Sequence, residues 1–423
     1  MGGRRTLVPM GDFHEFVGFQ RTVDAGFERY YLQQVELNDA GRWTRRFVTA
    51  LHGMETAVSL SARRSVAVLG TRYPDMIAEL RASVPVVILA RSMADIRWAR
   101  ANGLPVVPLL ALKAGLARAL VDPKSQLADA GEVARVRRMW SRQLRLLAPM
   151  AVVTTNAGLP LERLVLWSAR GMGIPTFEIQ HGVILRKKEG HHELVFGDCA
   201  QVFLAWGQDS AELVASGVNP PGTEFVAAGL PFVLPSYVPA HFAECSIIGF
   251  AGQPVTGFDA SYIRFIERLI TGLVAQARLR GLRFQYRPHP AERGEYLPRL
   301  KAAGVEIMDT SESLHDWIAG CRVVLSVGST VLLEASLMGC PAVQVIPAGY
   351  PLGQLDELGA AYTVILESDE VMDEWIGIFF DLCFNAYQVA RTLVVRDNRP
   401  ASEILRRIRR RMSGKGTAAR AAI

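Results

Sequence analysis

From Arg64 onward, short apolar runs alternate with segments of helical spacing. SVAVLG (65–70) is rich in β-branched residues and ends in Gly, PDMIAELRAS follows with helical periodicity, and VPVVILA (84–90) is a second unbroken apolar run. A helical stretch leads to GLPVVPLL (103–110). A long polar helix then spans about 127–147, and MAVVTT (150–155), LERLVLWSARGMG and IPTFEIQ (174–180) continue the order. Continuous apolar runs separated by helices of ten or more residues are the mark of buried parallel strands, because the crossover helices cover both faces of the sheet. The pattern predicts a doubly wound α/β domain.

The periodicity breaks at PFVLPSYVPAHFAEC (231–245), whose three prolines predict an interdomain linker. It then restarts. SIIGFAG (246–252), a helix at about 259–279, LRFQYR (282–287), a helix at about 294–302 and VEIMD (305–309) come first. A helix at about 313–319, VVLSVG (323–328), a helix over 330–338 and PAVQVI (341–346) complete a second α/β half. Residues 368–411 read as helices that follow the second sheet and can pack back across both domains. The expected organisation is a first α/β domain over 1–235, a second over 236–385, a returning helix over 386–412 and a disordered tail over 413–423. Residues 1–60 give no clear pattern.

Composition changes this picture little. The chain has 423 residues, 50% hydrophobic and 21% charged, which suits two globular domains and excludes collagen-like, coiled-coil and disordered classes. Its five cysteines are scattered and never in C-x-x-C spacing, arguing against a disulfide framework or a cysteine zinc site and for a reducing compartment. The N-terminal stretch lacks a signal-peptide core and no run approaches a membrane span, so a cytosolic protein is expected. The net charge of +6 owes most to Arg406, Arg407, Arg409, Arg410 and Arg411, and the remainder is close to neutral. Nucleic acid is therefore not an expected partner. The arginine cluster reads either as a solvated terminal helix or as a basic face drawn to an anionic membrane, which would make the protein peripheral at the inner face of the cytoplasmic membrane.

Three segments carry candidate chemistry. In SVGSTVLLEASLMGCPAVQV (326–345), a strand ends at Gly328, and Ser329 and Thr330 open a helix that stops at Gly339. Such a junction presents backbone N–H groups and the positive end of a helix dipole to an anion. Glu334 lies four residues after Thr330, on the same helix face, a spacing suited to phosphate at the tip and a ribose hydroxyl pair one turn further in. In FQYRPHPAE (284–292), Pro288 and Pro290 hold His289 extended beside Arg287 at the end of a strand, the edge where open α/β sheets bind ligands. In TFEIQHG (176–182), Thr176, Glu178 and Gln180 share one strand face leading to His181 and Gly182. That face is either a lined pocket or the wet side of an edge strand.

Two further segments add less. In the charged loop RKKEGHHE (186–193), adjacent His191, His192 and Glu193 do not have metal-ligand spacing, so no metal is expected. Arg186 and Lys187 there, with Gln180, are candidate acceptor contacts. FAGQP (250–254) is another strand-to-loop junction, where Gly252 permits close approach and Gln253 can reach a ligand. No G-x-G-x-x-G, P-loop or G-x-S-x-G occurs, against dinucleotide enzymes, ATPases and α/β-hydrolases.

Together, IPTFEIQHG, AWG (205–207), AAGLP (227–231), FAGQP, RPHP and SVGSTVLLEASLMGCPAV resemble the GT-B glycosyltransferases of bacterial surface-polysaccharide synthesis. The resemblance is to the capsule-type group of Kdo transferases, polysialyltransferases and CDP-glycerol glycerophosphotransferases, and it covers about 150–350. It implies two Rossmann-like domains with a cleft between them, a CMP-, CDP- or UDP-linked sugar donor, a polysaccharide or lipid-linked glycan acceptor, and no metal or other cofactor. By carry-over, His289, with Ser329 and Thr330, contacts the donor phosphate, and Glu334 takes the ribose; Arg287, Gln253 and Gly328 complete the donor set. One departure stands out. Many relatives carry an acid just after the strand preceding the Q-H-G strand, where this chain has Thr154-Thr155-Asn156. The base is then sought among Glu162, Glu178 and His181, and the alternatives are a nucleotide-sugar 2-epimerase or a catalytically silent scaffold.

Overall fold

The computed structural model describes residues 64–113, 116, 130–155, 160–182, 184, 200–216, 222–235, 237, 239–253, 260–289, 292, 296–349, 355–358, 361–382 and 400–409. The readings of residues 1–60, Asn156, Arg186, Lys187, the 191–193 cluster, Arg410, Arg411 and the 413–423 tail lie outside those residues. The described chain divides into two compact units. The first holds 64–181, 200–232 and 400–409; the second holds 233–382 with Gly182 and Ile184.

The first unit is built on β1 (Val66–Leu69), α1 (Pro74–Arg81), β2 (Val86–Ala90), α2 (Met93–Ala101), β3 (Val106–Pro108), α3 (Ala130–Leu147), β4 (Ala151–Thr154), α4 (Pro160–Gly171), β5 (Thr176–Ile179), β6 (Val202–Ala205), α5 (Gln208–Ala215) and β7 (Glu224–Ala227). Its seven strands run in the order β3-β2-β1-β4-β5-β6-β7 and every pair is parallel. Val66 is in register with Val86 on one side and Ala151 on the other. All residues of β1, β2 and β4 are buried, as strands covered on both faces must be. Trp140 of α3 and Leu164 of α4 are fully buried against one face. Each buried Leu, Ile or Val there contributes about 1.5–3 kcal/mol by leaving water.

The helical segment 400–409 completes the core on the other face. Ala401, Ile404, Leu405 and Ile408 pack in the cluster that contains Val66, Ile88, Val153 and Phe177. Its polar side is tied down as well: Arg407 donates to Glu224 and Glu403, Arg406 donates to Glu403, and Ser402 donates to Glu79 at 3.0 Å. Two of the five arginines read as a basic face are thus already paired with carboxylates.

The second unit contains α6 (Pro239–Glu244), β8 (Ile247–Ala251), α7 (Ala260–Leu279), β9 (Arg283–Arg287), α8 (Tyr296–Ala302), β10 (Glu306–Ile307), α9 (Leu314–Gly320), β11 (Cys321–Ser326), α10 (Val331–Met338), β12 (Ala342–Pro347), β13 (Tyr362–Leu366) and α11 (Asp369–Leu382). Six parallel strands follow the order β10-β9-β8-β11-β12-β13. Leu269, Leu273 and Phe379 fill the core over Ile248, Leu325 and Val345.

The segment read as a linker is partly helical. Within 231–245, residues 239–244 form α6, whose Phe242 is fully buried, and Tyr237 N–H donates to Met338 C=O at 3.0 Å. His241 meets the Ala319 carbonyl at 2.9 Å and stacks on Tyr237. The two units divide between Phe232 and Val233, inside this segment, while Pro239 starts a helix that belongs to the second unit.

Candidate functional site

In the second sheet the strand order reverses between β8 and β11, and ligands of open α/β sheets bind beyond the carboxyl ends of strands at such a point. Three segments singled out in the sequence end there. Ser326 at the end of β11 donates its hydroxyl to the Ala251 carbonyl at 2.7 Å, and Gly252 N–H donates to the Arg287 carbonyl at 2.8 Å. These two bonds fasten the ends of β11, β8 and β9 side by side, bringing Gln253, His289 and the 328–330 turn to one edge.

The turn is a compact helix entry. Ser329 N–H donates to Ser326 Oγ at 3.2 Å, and Ser329 Oγ accepts from Val331 N–H at 3.3 Å. Thr330 occupies the N-cap position without a side-chain cap bond, so Ser329 does the capping. Gly328, Ser329 and Thr330 are all partly exposed, while α10 behind them is apolar and its Leu332, Leu333 and Met338 are buried. Glu334 is the single charge on α10. Its Oε2 lies 2.9 Å from His315 Nε2, so the partner demanded by a half-buried carboxylate comes from α9, and His315 was not singled out from sequence.

His289 is partly exposed, and its backbone N–H donates to Glu292 Oε2 at 2.8 Å. Glu292 N–H returns a bond to the His289 carbonyl at 2.8 Å. Tyr286 donates its hydroxyl to Glu292 Oε1 at 2.7 Å and shares a 2.9 Å contact with the Tyr296 hydroxyl. Glu292 is 8% exposed, and burial pushes its carboxyl up to about 7 despite those two bonds. Gly252 is required above this carboxyl: a Cβ there would stand 2.3 Å from Glu292 Oε2 and 2.4 Å from the Tyr286 hydroxyl.

Arg287 turns to the opposite face of β9 from Tyr286, as alternate strand residues do. Its Nη2 donates to the Glu312 carbonyl at 2.5 Å, and the guanidinium lies 5.9 Å from the Trp317 ring centroid. Its Nη1 is buried without a hydrogen-bond partner among the described residues. Burial holds this guanidinium below its ordinary pKa, with Glu312 and Asp309 acting against the shift.

In the first unit, the catalytic candidates separate by exposure. β5 lies between β4 and β6, so it is no edge strand, and its polar face is buried. Thr176 is used structurally, accepting at Oγ1 from Gln201 N–H at 2.9 Å. Gln180 is 1% exposed; its Oε1 accepts from Trp206 N–H at 2.7 Å and its carbonyl accepts from the Tyr73 hydroxyl at 3.1 Å. It joins the ends of β5 and β6. Glu178 is buried too, in register between Thr154 and Phe203. His181 follows at the strand end and is partly exposed.

Glu162, on the first turn of α4, is 2% exposed and accepts from Arg91 Nη1 at 2.7 Å. Burial raises its pKa, and the Arg91 charge opposes that rise. Buried and paired, it is not placed to take a proton from an acceptor. Arg91 packs against Gly70, whose φ is +78° and where a Cβ would meet Nη2 at 2.5 Å. Asp95 secures the same corner, accepting from Thr71 Oγ1 at 2.8 Å and Arg91 N–H at 3.0 Å. None of Arg91, Asp95 or Thr71 carries a motif that sequence reading could have found.

Among the described residues, no group of three or more His, Cys, Asp or Glu side chains is arranged to hold a metal ion. No described helix is long and apolar enough to cross a membrane.

No protein-family model matches the chain. A lipid-A-disaccharide synthase of Geobacter sulfurreducens is 31% identical over 90 residues, which make up 20% of this chain and 23% of that protein. The chain thus spans under a quarter of the length of the curated relative it matches. Among solved structures, MurG of Acinetobacter baumannii aligns with a TM-score of 0.50 at 14% identity, over 82% of this chain and 99% of that one. A UDP-GlcNAc 2-epimerase of Methanocaldococcus jannaschii aligns with a TM-score of 0.54 at 13% identity, over 81% and 98%. The Neisseria meningitidis UDP-GlcNAc 2-epimerase, solved bound to UDP-GlcNAc, gives 0.50 at 13% identity, over 82% and 99%. These likenesses establish the architecture: two parallel-sheet α/β domains in a GT-B glycosyltransferase-like fold.

Proposed function

We propose that the protein is a glycosyltransferase that moves a sugar from a nucleotide-sugar donor to a hydroxyl of a surface polysaccharide or glycolipid. The observation that carries this reading is the convergence of His289, the Ser329–Thr330 helix entry and the Glu334–His315 pair at the carboxyl edge of the second sheet, around its point of strand reversal. In this reading the His289 imidazole and the start of α10 receive the donor phosphates and stabilise the charge that develops on the leaving nucleotide. Glu334, steadied by His315, accepts from the ribose hydroxyls.

The general base is assigned to the first unit. His181 is the half-exposed member of the candidate set, whereas Glu162 and Glu178 are buried. An imidazole titrates near neutrality, as removal of a proton from an acceptor hydroxyl requires. The nucleotide, a cytidine or a uridine, is left to experiment. Attraction to an anionic membrane would rest on the arginine cluster Arg406–Arg411, of which Arg406 and Arg407 are paired with carboxylates.

Calorimetry with CMP, CDP and UDP tests the donor site. His289→Ala is expected to weaken nucleotide binding at least tenfold in a folded protein. Equal affinity of mutant and wild type would remove the donor assignment. The epimerase likeness favours a second reading, in which the sugar nucleotide is the whole substrate. Epimerised donor formed without an acceptor would decide for it; transfer only when acceptor is added would decide for the transferase.

A further inference from the structure

Glu292 is the carboxyl group that accepts from the His289 backbone N–H, and among the described residues no cation pairs with it. Among the described residues, the groups that face it are Tyr286 from β9, Tyr296 from α8 through the Tyr286 hydroxyl, the backbone of His289, and Gly252 at the end of β8, which leaves room for it by having no side chain. Its two oxygens are divided between a donor that cannot reverse and one that can. The His289 N–H at Oε2 is a fixed donor, whereas the Tyr286 hydroxyl at Oε1 can donate or accept.

That division has a consequence for protonation. With Glu292 ionised, Tyr296 can donate to Tyr286 and Tyr286 to Oε1. With a proton taken from solvent onto Oε1, the new O–H donates to Tyr286, and Tyr286 turns to donate to Tyr296 across their 2.9 Å contact. The bond from His289 N–H to Oε2 survives in both states. Glu292 can therefore change its charge without releasing the loop that it holds.

Resting on the donor-site reading above, we propose that Glu292 positions the His289 loop and takes up a proton from solvent when an anionic donor phosphate binds beside it. A phosphate at His289 adds a second negative charge close to a carboxylate shielded from water, and like charges at short range in a poorly hydrated site disfavour the ionised form. Because Glu292 is already balanced near neutrality, donor arrival shifts its proton occupancy within the physiological range. By linkage, the nucleotide then binds more tightly as pH falls.

The test compares wild type, Glu292→Gln and Glu292→Ala by calorimetry with UDP, CDP and inorganic pyrophosphate, from pH 6 to 8, in two buffers of different ionisation enthalpy. The Gln variant keeps an acceptor for His289 N–H but has no titratable proton. The wild type is expected to take up more protons per ligand than Glu292→Gln and to show a severalfold steeper loss of affinity with rising pH. Titration of the free ligand phosphates is common to both proteins and cancels in the comparison. Glu292→Ala, which lacks the acceptor, is expected to bind at least severalfold more weakly than Glu292→Gln. Equal proton uptake by wild type and Glu292→Gln, or equal affinity of the Ala and Gln variants, would overturn the proposal while leaving the donor site standing. Failure of the wild type to bind any of the three ligands would overturn the donor-site reading and this proposal with it.

Discussion

Arg91 Nη1 donates to Glu162 Oε1 at 2.7 Å, so the residue that follows β2 neutralises a carboxylate buried on the first turn of α4. Removing one partner of a buried pair leaves the other charge without compensation. Arg91→Ala is therefore expected to cost the first unit about 3 kcal/mol in urea denaturation. Adding Glu162→Gln should return part of that loss, since the stranded group is then neutral. A cost below about 1 kcal/mol would mean that solvent screens this pair as it does at a surface.

Glu292 gives a stability signature that needs no ligand. Its carboxyl is raised from 4.5 to about 7 in the folded protein, so between those values the native state holds a proton that the unfolded chain has released. Stability from this group is complete at low pH, falls as pH rises towards 7, and is flat above. The span is up to about 3 kcal/mol. Glu292→Gln should remove that slope and be the more stable protein at pH 8, as read by chemical denaturation at pH 5 and 8.

Gly252→Ala should damage the same network from above. Its methyl would stand 2.3 Å from Glu292 Oε2, and both nearby side chains are buried, so His289 must shift with the carboxyl. Nucleotide affinity is expected to fall at least tenfold, with a stability loss of about 2 kcal/mol from overpacking. Unchanged binding in the folded variant would show that the loop tolerates displacement.

Gly339 ends α10 at φ +92°, with Cys340 N–H returning to the Ala335 carbonyl at 2.9 Å. A Cβ there would lie 2.7 Å from the Tyr237 carbonyl oxygen, a backbone atom that cannot swing aside. Gly339→Ala should cost about 2 kcal/mol or more by thermal or urea unfolding, through left-handed strain and this contact. A cost of a few tenths would show that the segment before α6 moves freely.

His315 offers a finer probe of the donor reading. Without its imidazole, Glu334 loses the contact that orients it. His315→Ala should weaken UDP or CDP several-fold and leave inorganic pyrophosphate unaffected, because only the nucleotides carry ribose. Equal weakening of all three would place His315 in the phosphate site.

The strands of both sheets were legible because parallel strands buried on both faces write themselves as unbroken apolar runs such as VVILA and VVLS. The strands at 202–205, 224–227 and 362–366 were missed: the first two are short runs with no long helix to announce them, and the third is a partly exposed edge strand. α6 was hidden by its brevity and by the prolines that precede and open it. At the site, His289, Ser329 and Glu334 stood out through strand-end placement and helical spacing. Glu292, His315 and Arg91 did not, because each acts through a partner supplied by folding. An isolated Glu or Arg in a sequence carries no trace of the buried group it will meet.

The packing of Ile404 and Ile408 beneath β1 also sets a schedule for synthesis. A ribosome finishes the second unit before it makes the hydrophobic wedge that completes the first, so the earlier domain emerges with part of one sheet face uncovered beside α1 and α2. It must wait, exposed to chaperones or to misassociation, until residues 400–409 are delivered. Truncation before Pro400 should accordingly injure the first unit and spare the second.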